Sequence, residues 1–88
     1  MSASRDAIVA ECRAIEAMLL AKNEAYGDSA LAPLRLFSRC GAAEALRVRI
    51  DDKLSRLARG DGSGDEDAIL DLIGYLVLLR IAEKGPRT

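Results

Sequence analysis

Apolar residues recur at helical spacing along the first part of the chain. From about Ser4 to Tyr26 they stand at i, i+4, i+7 and i+11, which places them on one face of an α-helix. These residues are Ile8, Cys12, Ile15 and Leu19. Gly27 follows directly, and glycine commonly ends a helix because it accepts left-handed backbone angles. The pattern predicts a first helix that ends at Tyr26.

Two further helices are predicted in the middle of the chain. After a turn over residues 26–33, Pro33 is well placed in the first turn of a short helix that runs to about Arg39. A second long helix is expected from about Ala42 to Arg59, with Gly60 at its end. Its apolar stripe is formed by Leu46, Ile50, Leu54 and Leu57.

The last long helix is unusually apolar. Ser63 and Glu66 form a capping box, so this helix is expected to start at Ser63 and to run to about Lys84. Apolar residues between positions 69 and 81 surround it almost completely, so it must be covered on several sides. Gly74 lies within it, and the missing side chain would let a ligand or another helix approach closely, at a cost of about 1 kcal/mol in helix propensity.

These patterns predict an all-α fold with three long helices and one short helix. No stretch alternates apolar and polar residues for long enough to form a strand. The length of 88 residues fits a single domain over 1–88, and a chain of this size hides only roughly 60–68 % of its surface on folding. We therefore expect homo-oligomerisation to complete the helical bundle.

Composition and charge exclude several functions. Thirteen Lys and Arg stand against 14 Asp and Glu, for a net charge of −1, so the chain has no basic surplus to hold nucleic acid. Without histidine, Ser-His-Asp catalysis and His-ligated zinc or haem cannot be built within one chain. The apolar run 68–82 is shorter than the roughly 20 residues that a bilayer requires. Since no apolar signal follows Met1, we expect a cytoplasmic protein with reduced thiols and no membrane partner.

Several cations are predicted to lean towards apolar faces. Lys22 and Tyr26 continue the stripe of the first helix, and Asn23 lies beside them. On the second helix three cations at i, i+4 and i+7 form one ridge, a pattern that binds phosphate well because arginine offers a planar fork and lysine a compact charge. This ridge consists of Arg49, Lys53 and Arg56.

Two interpretations of these cations remain open. Lys22, Arg49 and Lys53 could pair with Asp67 and Asp71, which stand four residues apart on one helical face and would then fix the helix register. Alternatively, a ligand anion is their partner. We favour the second interpretation, in which Lys53 meets a ligand phosphate and the ligand-free protein carries an unrelieved cluster of positive charge.

Four sequence blocks in order along the chain carry a resemblance to a known family. The blocks are Lys22-Asn23-x-x-Tyr26-Gly27-Asp28-Ser29, Pro33-Leu34-Arg35-Leu36-Phe37-Ser38, Arg49-Ile50-Asp51-Asp52-Lys53-Leu54-Ser55-Arg56-Leu57 and Asp67-x-x-x-Asp71-Leu72-Ile73-Gly74-Tyr75-Leu76. They resemble a phage-borne family called nucleotide modification associated domain. The resemblance implies a small all-α domain from phages or prophages, associated with nucleotide metabolism. The arrangement of helices is also similar to that of the all-α nucleoside triphosphate pyrophosphohydrolases of the MazG and dimeric dUTPase type.

The carboxylates depart from the pattern of those enzymes. The pyrophosphohydrolases carry an ExxE pair and an ExxD pair, whereas Asp67 and Asp71 are four residues apart. Asp51 and Asp52 are adjacent and point about 100° apart, so both cannot face one metal ion. If the protein is a hydrolase, its Mg²⁺ would be held by Asp52, Asp67 and Asp71. Otherwise we expect no metal and no cofactor.

Together these observations favour binding over hydrolysis. The main hypothesis is a homo-oligomeric phage protein that holds a nucleotide or nucleotide-derived ligand in the cytoplasm of an infected or lysogenic bacterium. Its role would be work on the nucleotide pool, or sequestration of a host immune-signalling nucleotide as an anti-defence sponge. A Mg-dependent pyrophosphohydrolase and a structural helix-pairing adaptor are the alternatives. The expected ligand-binding residues are Lys22, Asn23, Tyr26, Gly27, Asp28, Arg49, Lys53, Arg56, Asp67 and Asp71.

Overall fold

The computed structural model describes residues 2–32, 38–60 and 67–84, and these residues form three helices and no strand. The helices are α1 (Ala3–Tyr26), α2 (Ala42–Arg59) and α3 (Ala68–Lys84). The predicted all-α fold with three long helices is confirmed. The start of the predicted short helix at Pro33 lies outside the described residues, and Ser38 and Arg39, at its expected end, are not helical.

Local signals in the sequence set both ends of α1. The Ser2 hydroxyl caps the helix by accepting a hydrogen bond from the backbone N–H of Arg5 at 2.9 Å. The helix stops after Tyr26 because Gly27 has a φ of 58°, which side chains rarely tolerate. The following residues form a turn in which the N–H groups of Leu31 and Ala32 donate to the Asp28 carbonyl.

The boundaries of α2 agree with the prediction, whereas α3 begins later than expected. Gly60 adopts the left-handed conformation that ends α2. At the start of α3, the Asp67 carboxylate accepts a hydrogen bond from the backbone N–H of Leu70 at 2.9 Å and thereby caps the helix. The capping box expected from Ser63 and Glu66 lies outside the described residues.

The small core lies between α2 and α3, which run antiparallel and make most of the contacts between helices. Leu46 is only 1 % exposed, and Ala68 is the other buried apolar residue among those described. Directly after Leu46 in the sequence, Arg47 of α2 donates a hydrogen bond to Glu83 of α3 at 2.7 Å. This ion pair is exposed, so it adds little stability, but it shows which face of α3 is turned to α2.

Helix α1 packs on α3 through a short contact. A Cβ added to Gly74 would lie 3.2 Å from side-chain atoms of Met18 and Leu19, so the glycine lies at a close contact between α1 and α3. None of the 24 residues of α1 is buried, and α1 does not pack on α2 within the described part of the chain. No described helix is long and apolar enough to cross a membrane.

Candidate functional site

A cavity of about 460 Å³ lies where α1 and α2 are separated above α3. Residues 18–30 of α1 and the following turn form one wall, Arg49 of α2 forms the other, and Asp71, Gly74, Tyr75 and Leu78 of α3 form the floor. We call this space the three-helix cavity. Its volume is within the range of about 300–1,000 Å³ that small-molecule sites occupy.

The Asp71 carboxylate joins the three helices through two lysines. Its Oδ2 lies 3.1 Å from Nζ of Lys53 on α2, and its Oδ1 lies 3.5 Å from Nζ of Lys22 on α1. The side chains of Lys53 and Asp71 are only 10 % and 19 % exposed, whereas that of Lys22 is 55 % exposed. The Lys53 pair is therefore the inner half of the cluster, which solvent screens less, and Lys22 is the solvent-facing half.

Asp71 is ionised at neutral pH because its partners overcome the effect of burial. Burial by itself would raise the pKa of Asp71. The hydrogen bond from Lys53, the charge of Lys22 and the charge of Lys53 act in the opposite direction and hold the pKa of Asp71 below its ordinary value. The cluster thus consists of one carboxylate between two ammonium groups and keeps a net positive charge.

A third cation faces the same cavity. Arg49 lines the wall formed by α2, and it makes no hydrogen bond or ion pair within the described part of the chain. Together with Lys22 and Lys53, it gives the cavity and its floor three positive groups against the single carboxylate of Asp71. The cavity therefore favours an anion, and the arginine is the group best placed to bind one through its two-pronged guanidinium.

The rest of the lining suits a planar, partly polar ligand. Two aromatic rings, Tyr26 and Tyr75, line the cavity, and Tyr26 is 71 % exposed. Asn23 adds an amide that can both donate and accept hydrogen bonds. Aromatic faces stack on nucleobases with little dependence on base identity, and an amide can read a base edge or a ribose hydroxyl.

The structure brings together six of the ten residues predicted for the site. Four of them lie at the end of α1 or directly after it, one lies on α2, and one lies on α3. The six lining residues are Lys22, Asn23, Tyr26, Gly27, Arg49 and Asp71. Lys53 joins them indirectly, through Asp71.

The other three predicted residues lie elsewhere. Asp28 lines a separate apolar groove on the far side of the contact between α1 and α3. Asp67 is exposed, and its carboxylate is engaged in capping α3 rather than in orienting cations. Arg56 is exposed and is not among the residues that line the three-helix cavity. The ridge predicted on α2 is therefore divided, with only Arg49 facing the cavity.

The favoured interpretation of Lys53 is wrong. We expected its partner to be a ligand phosphate, but the structure pairs it with the Asp71 carboxylate at 3.1 Å. The physical reason is burial, since an ammonium group that is 90 % covered needs an opposite charge whether or not a ligand is present. Lys53 therefore belongs to the internal pairing that we had considered the alternative.

The three aspartates proposed for a magnesium site do not come together. Asp71 directs both carboxylate oxygens at lysines, Asp67 caps α3, and Asp52 is exposed on α2. Among the described residues, no group of three or more Asp, Glu, Cys or His side chains could hold a metal ion. A hard cation such as Mg²⁺ needs several oxygen ligands, so this donor set does not fit it.

Sequence reasoning missed Tyr75 and the apolar side of the cavity. Tyr75 stands one helical turn after Asp71, so the i, i+4 spacing that placed Asp71 inward could also have placed this ring beside it. Met18, Leu19 and Leu78 were not predicted as site residues, yet they also line the cavity. Sequence reasoning did single out Gly74, which lies against the side chains of Met18 and Leu19 of α1.

Comparisons of this chain with protein-family models, with curated proteins and with solved structures find no match. The class of the protein is therefore defined by its fold and site, as a small all-α protein with an anion-favouring cavity between three helices.

Proposed function

We propose that the protein binds a nucleotide or a nucleotide-derived small molecule in the three-helix cavity. The observation that carries this proposal is Arg49, a guanidinium with no partner in the described part of the chain, on the wall of a cavity that already holds a surplus of positive charge. A phosphate group supplies the anion that this arrangement lacks. Tyr26, Tyr75 and Asn23 suit the base or ribose of the same ligand.

Each part of the ligand has a distinct place in this proposal. The phosphate lies between Arg49 and Lys22, the two cations that line the cavity from opposite walls. Lys53 stays with Asp71 and contributes its charge from behind the floor. The base stacks on an aromatic ring, a contact worth about 1–3 kcal/mol in single-stranded nucleic acid complexes.

The proposal extends to the biological role that the sequence resemblance suggests. The protein would be a phage or prophage product that acts in the bacterial cytoplasm as a homo-oligomer. It would either serve the nucleotide pool or sequester a nucleotide that the host uses for immune signalling. Binding without turnover is the better-supported activity, because the described carboxylates do not gather into a metal site.

A panel of nucleotides tests the proposal directly. The protein is incubated with nucleoside triphosphates, cyclic oligonucleotides and ADP-ribose derivatives, and bound material is released by heat and separated by chromatography. We expect one class to be recovered intact. Recovery of a monophosphate product would mean hydrolysis, and the absence of binding to every member of the panel would leave the Asp71 cluster with a purely structural role in helix pairing.

Replacement of Arg49 tests the proposed phosphate site most directly. Arg49→Gln should weaken binding of the recovered nucleotide by at least about tenfold in calorimetry, because a charge-assisted hydrogen bond is lost. Arg5→Gln is the matched control, since it removes the same charge from the exposed N-terminal turn of α1, away from the cavity. Equal affinities for Arg49→Gln and wild type would contradict the proposed phosphate site.

A further inference from the structure

The described protomer leaves an unusual amount of apolar side chain exposed. Leu46 and Ala68 are the only buried apolar residues among those described, and α1 contributes none. Large hydrophobic side chains on all three helices are 39–71 % exposed. Isolated exposed apolar residues are ordinary, but a 24-residue helix with no buried residue is left uncovered by the described part of its own chain.

The accessible surface of the protomer is larger than that expected of a compact monomer. The chain exposes 6897 Å², whereas a folded monomer of its 9.4 kDa mass exposes roughly 5,000 Å². Its radius of gyration is 14.9 Å, against about 12 Å for a compact chain of this length. The excess of roughly 1,900 Å² corresponds to one partner's share of an obligate homodimer interface, which totals about 2,000–5,000 Å².

Part of this exposed apolar surface, including Leu20 and Ile81, lines one groove. It runs between α1 and α3 on the side opposite to the three-helix cavity, and its volume is about 600 Å³. Leu20, Ile15 and Cys12 of α1 line one side, and Ile73 and Val77 of α3 line the other. On α3, Ile73, Val77 and Ile81 recur at i and i+4, so they form a continuous stripe along the groove.

This stripe differs from the surface that contacts α2. Leu72 and Leu79 lie on the same face of α3 as Glu83, and Glu83 pairs with Arg47 of α2. That face is therefore already turned towards α2. The stripe of Ile73, Val77 and Ile81 points towards the groove, where no described element of the chain covers it.

We infer that a second copy of this chain docks in the groove between α1 and α3, and that this docking holds α1 in place as a wall of the three-helix cavity. A two-fold pair satisfies both copies at once, because α1 of each protomer then fills the groove of the other. The result is a four-helix arrangement of two α1 and two α3 helices. A second copy is the occupant that matches the missing area and needs no other partner.

The second part of the inference follows from how weakly α1 is held within one protomer. Its contacts with α3 are few and include the crossing at Gly74 and the Lys22–Asp71 pair, in which Lys22 is 55 % exposed. Leu19, Asn23 and Leu78 line both the cavity and the groove, so the two spaces share one wall. A partner in the groove therefore supports the wall that carries Lys22, Asn23 and Tyr26. This docking does not depend on what the cavity binds.

The first experiment measures mass without any ligand. Sedimentation of the wild-type protein at micromolar concentration should give twice the chain mass of 9.4 kDa. Leu20→Asp should give a folded monomer, because Leu20 is 62 % exposed in the protomer and its replacement disturbs no internal packing. Val48→Asp is the matched control on α2, where Val48 is 52 % exposed outside the groove, and it should remain a dimer.

Two results would overturn the docking. One is a wild-type mass near 9.4 kDa at micromolar concentration, and the other is a dimer that Val48→Asp dissociates while Leu20→Asp leaves it intact. Hydrogen exchange on the same proteins tests the support of α1. Amides of the second half of α1 should lose protection in Leu20→Asp and keep it in Val48→Asp, and equal protection in both would refute that part of the inference.

A thiol measurement decides the matter if Leu20→Asp fails to fold. Cys12 is exposed in the protomer and lines the groove, so a docked partner should cover it. In a Cys40→Ser background Cys12 is the only thiol. Its reaction with a disulfide reagent should be about tenfold slower at a protein concentration far above the dissociation constant than after dilution. A rate that is independent of protein concentration would overturn the docking.

Discussion

Replacement of Lys53 by methionine tests the role of the cluster in the ligand-free protein. Methionine keeps most of the length and the apolar stem of lysine, so the change removes the charge with little loss of packing. Because Lys53 is 10 % exposed and lies 3.1 Å from Asp71, the variant leaves a carboxylate that is 81 % covered with only the more distant Lys22 as its partner. We expect the protein to be less stable.

The magnitude follows from what remains around Asp71. Loss of one partner of a fully buried ion pair costs about 3–5 kcal/mol. Here the carboxylate keeps some solvent contact and Lys22 at 3.5 Å, so we expect a loss of about 1–3 kcal/mol in the free energy of unfolding. Lys22→Met is the matched control, and it should cost less than about 1 kcal/mol because Lys22 is 55 % exposed.

The assay is urea unfolding followed by circular dichroism, at one fixed protein concentration because the apparent stability of any self-associating protein depends on its concentration. The double variant Lys53→Met/Asp71→Asn removes both charges and should be more stable than the sum of the two single losses predicts. A Lys53→Met protein as stable as wild type, with no coupling in the double variant, would refute internal pairing of Lys53.

Three further predictions concern Asp71, Asp67 and Gly74. Because the pKa of Asp71 is lowered on folding, the ionised carboxylate stabilises the protein above the ordinary aspartate pKa, and this stabilisation is lost as the pH falls through the lowered value. The difference in stability between wild type and Asp71→Asn should therefore shrink on acidification. A difference that stays constant in thermal melts across pH would contradict this. Asp67→Ala should cost about 0.5–2 kcal/mol by urea unfolding, whereas Asp67→Asn should retain most of the stability, because the cap needs only a side-chain oxygen. Gly74→Ala gains up to about 1 kcal/mol of helix propensity but crowds the flexible ends of Met18 and Leu19 at 3.2 Å, so the free energy of unfolding should change little. A large loss of stability in urea unfolding would mean that these side chains cannot move aside.

The helices could be predicted well because their ends depend on local chemistry. Gly27 and Gly60 stop α1 and α2 through backbone angles that other residues avoid, and this information is contained in a few neighbouring residues. The start of α3 was harder to predict, because several capping residues precede it. Asp67 accepts the hydrogen bond in the structure, whereas the sequence pattern favoured Ser63.

The site could be predicted only in part because helical phase gives the face of a residue but not the helix that lies opposite. Phase placed Lys22, Arg49 and Asp71 on inward faces, and all three line the cavity. It also grouped Arg56 with Arg49, although α1 and α2 are separated above α3 and only one of the two reaches the space between them. The partner of Lys53 depended on the antiparallel register of α2 and α3, which no local pattern encodes.

The way Asp71 divides its two oxygens has a consequence for ligand entry. Lys53 holds Oδ2 from the covered side, and Lys22 holds Oδ1 from the solvent side at a longer distance. Under the proposed function, an incoming phosphate would draw Lys22, the more distant partner, and would leave Lys53 on Asp71. Because Lys53 would stay in place, the Asp71 carboxylate would not become an unpaired buried charge, which is costly to desolvate. The same lysine would return to Asp71 when the anion leaves, so the carboxylate would keep a partner in both states.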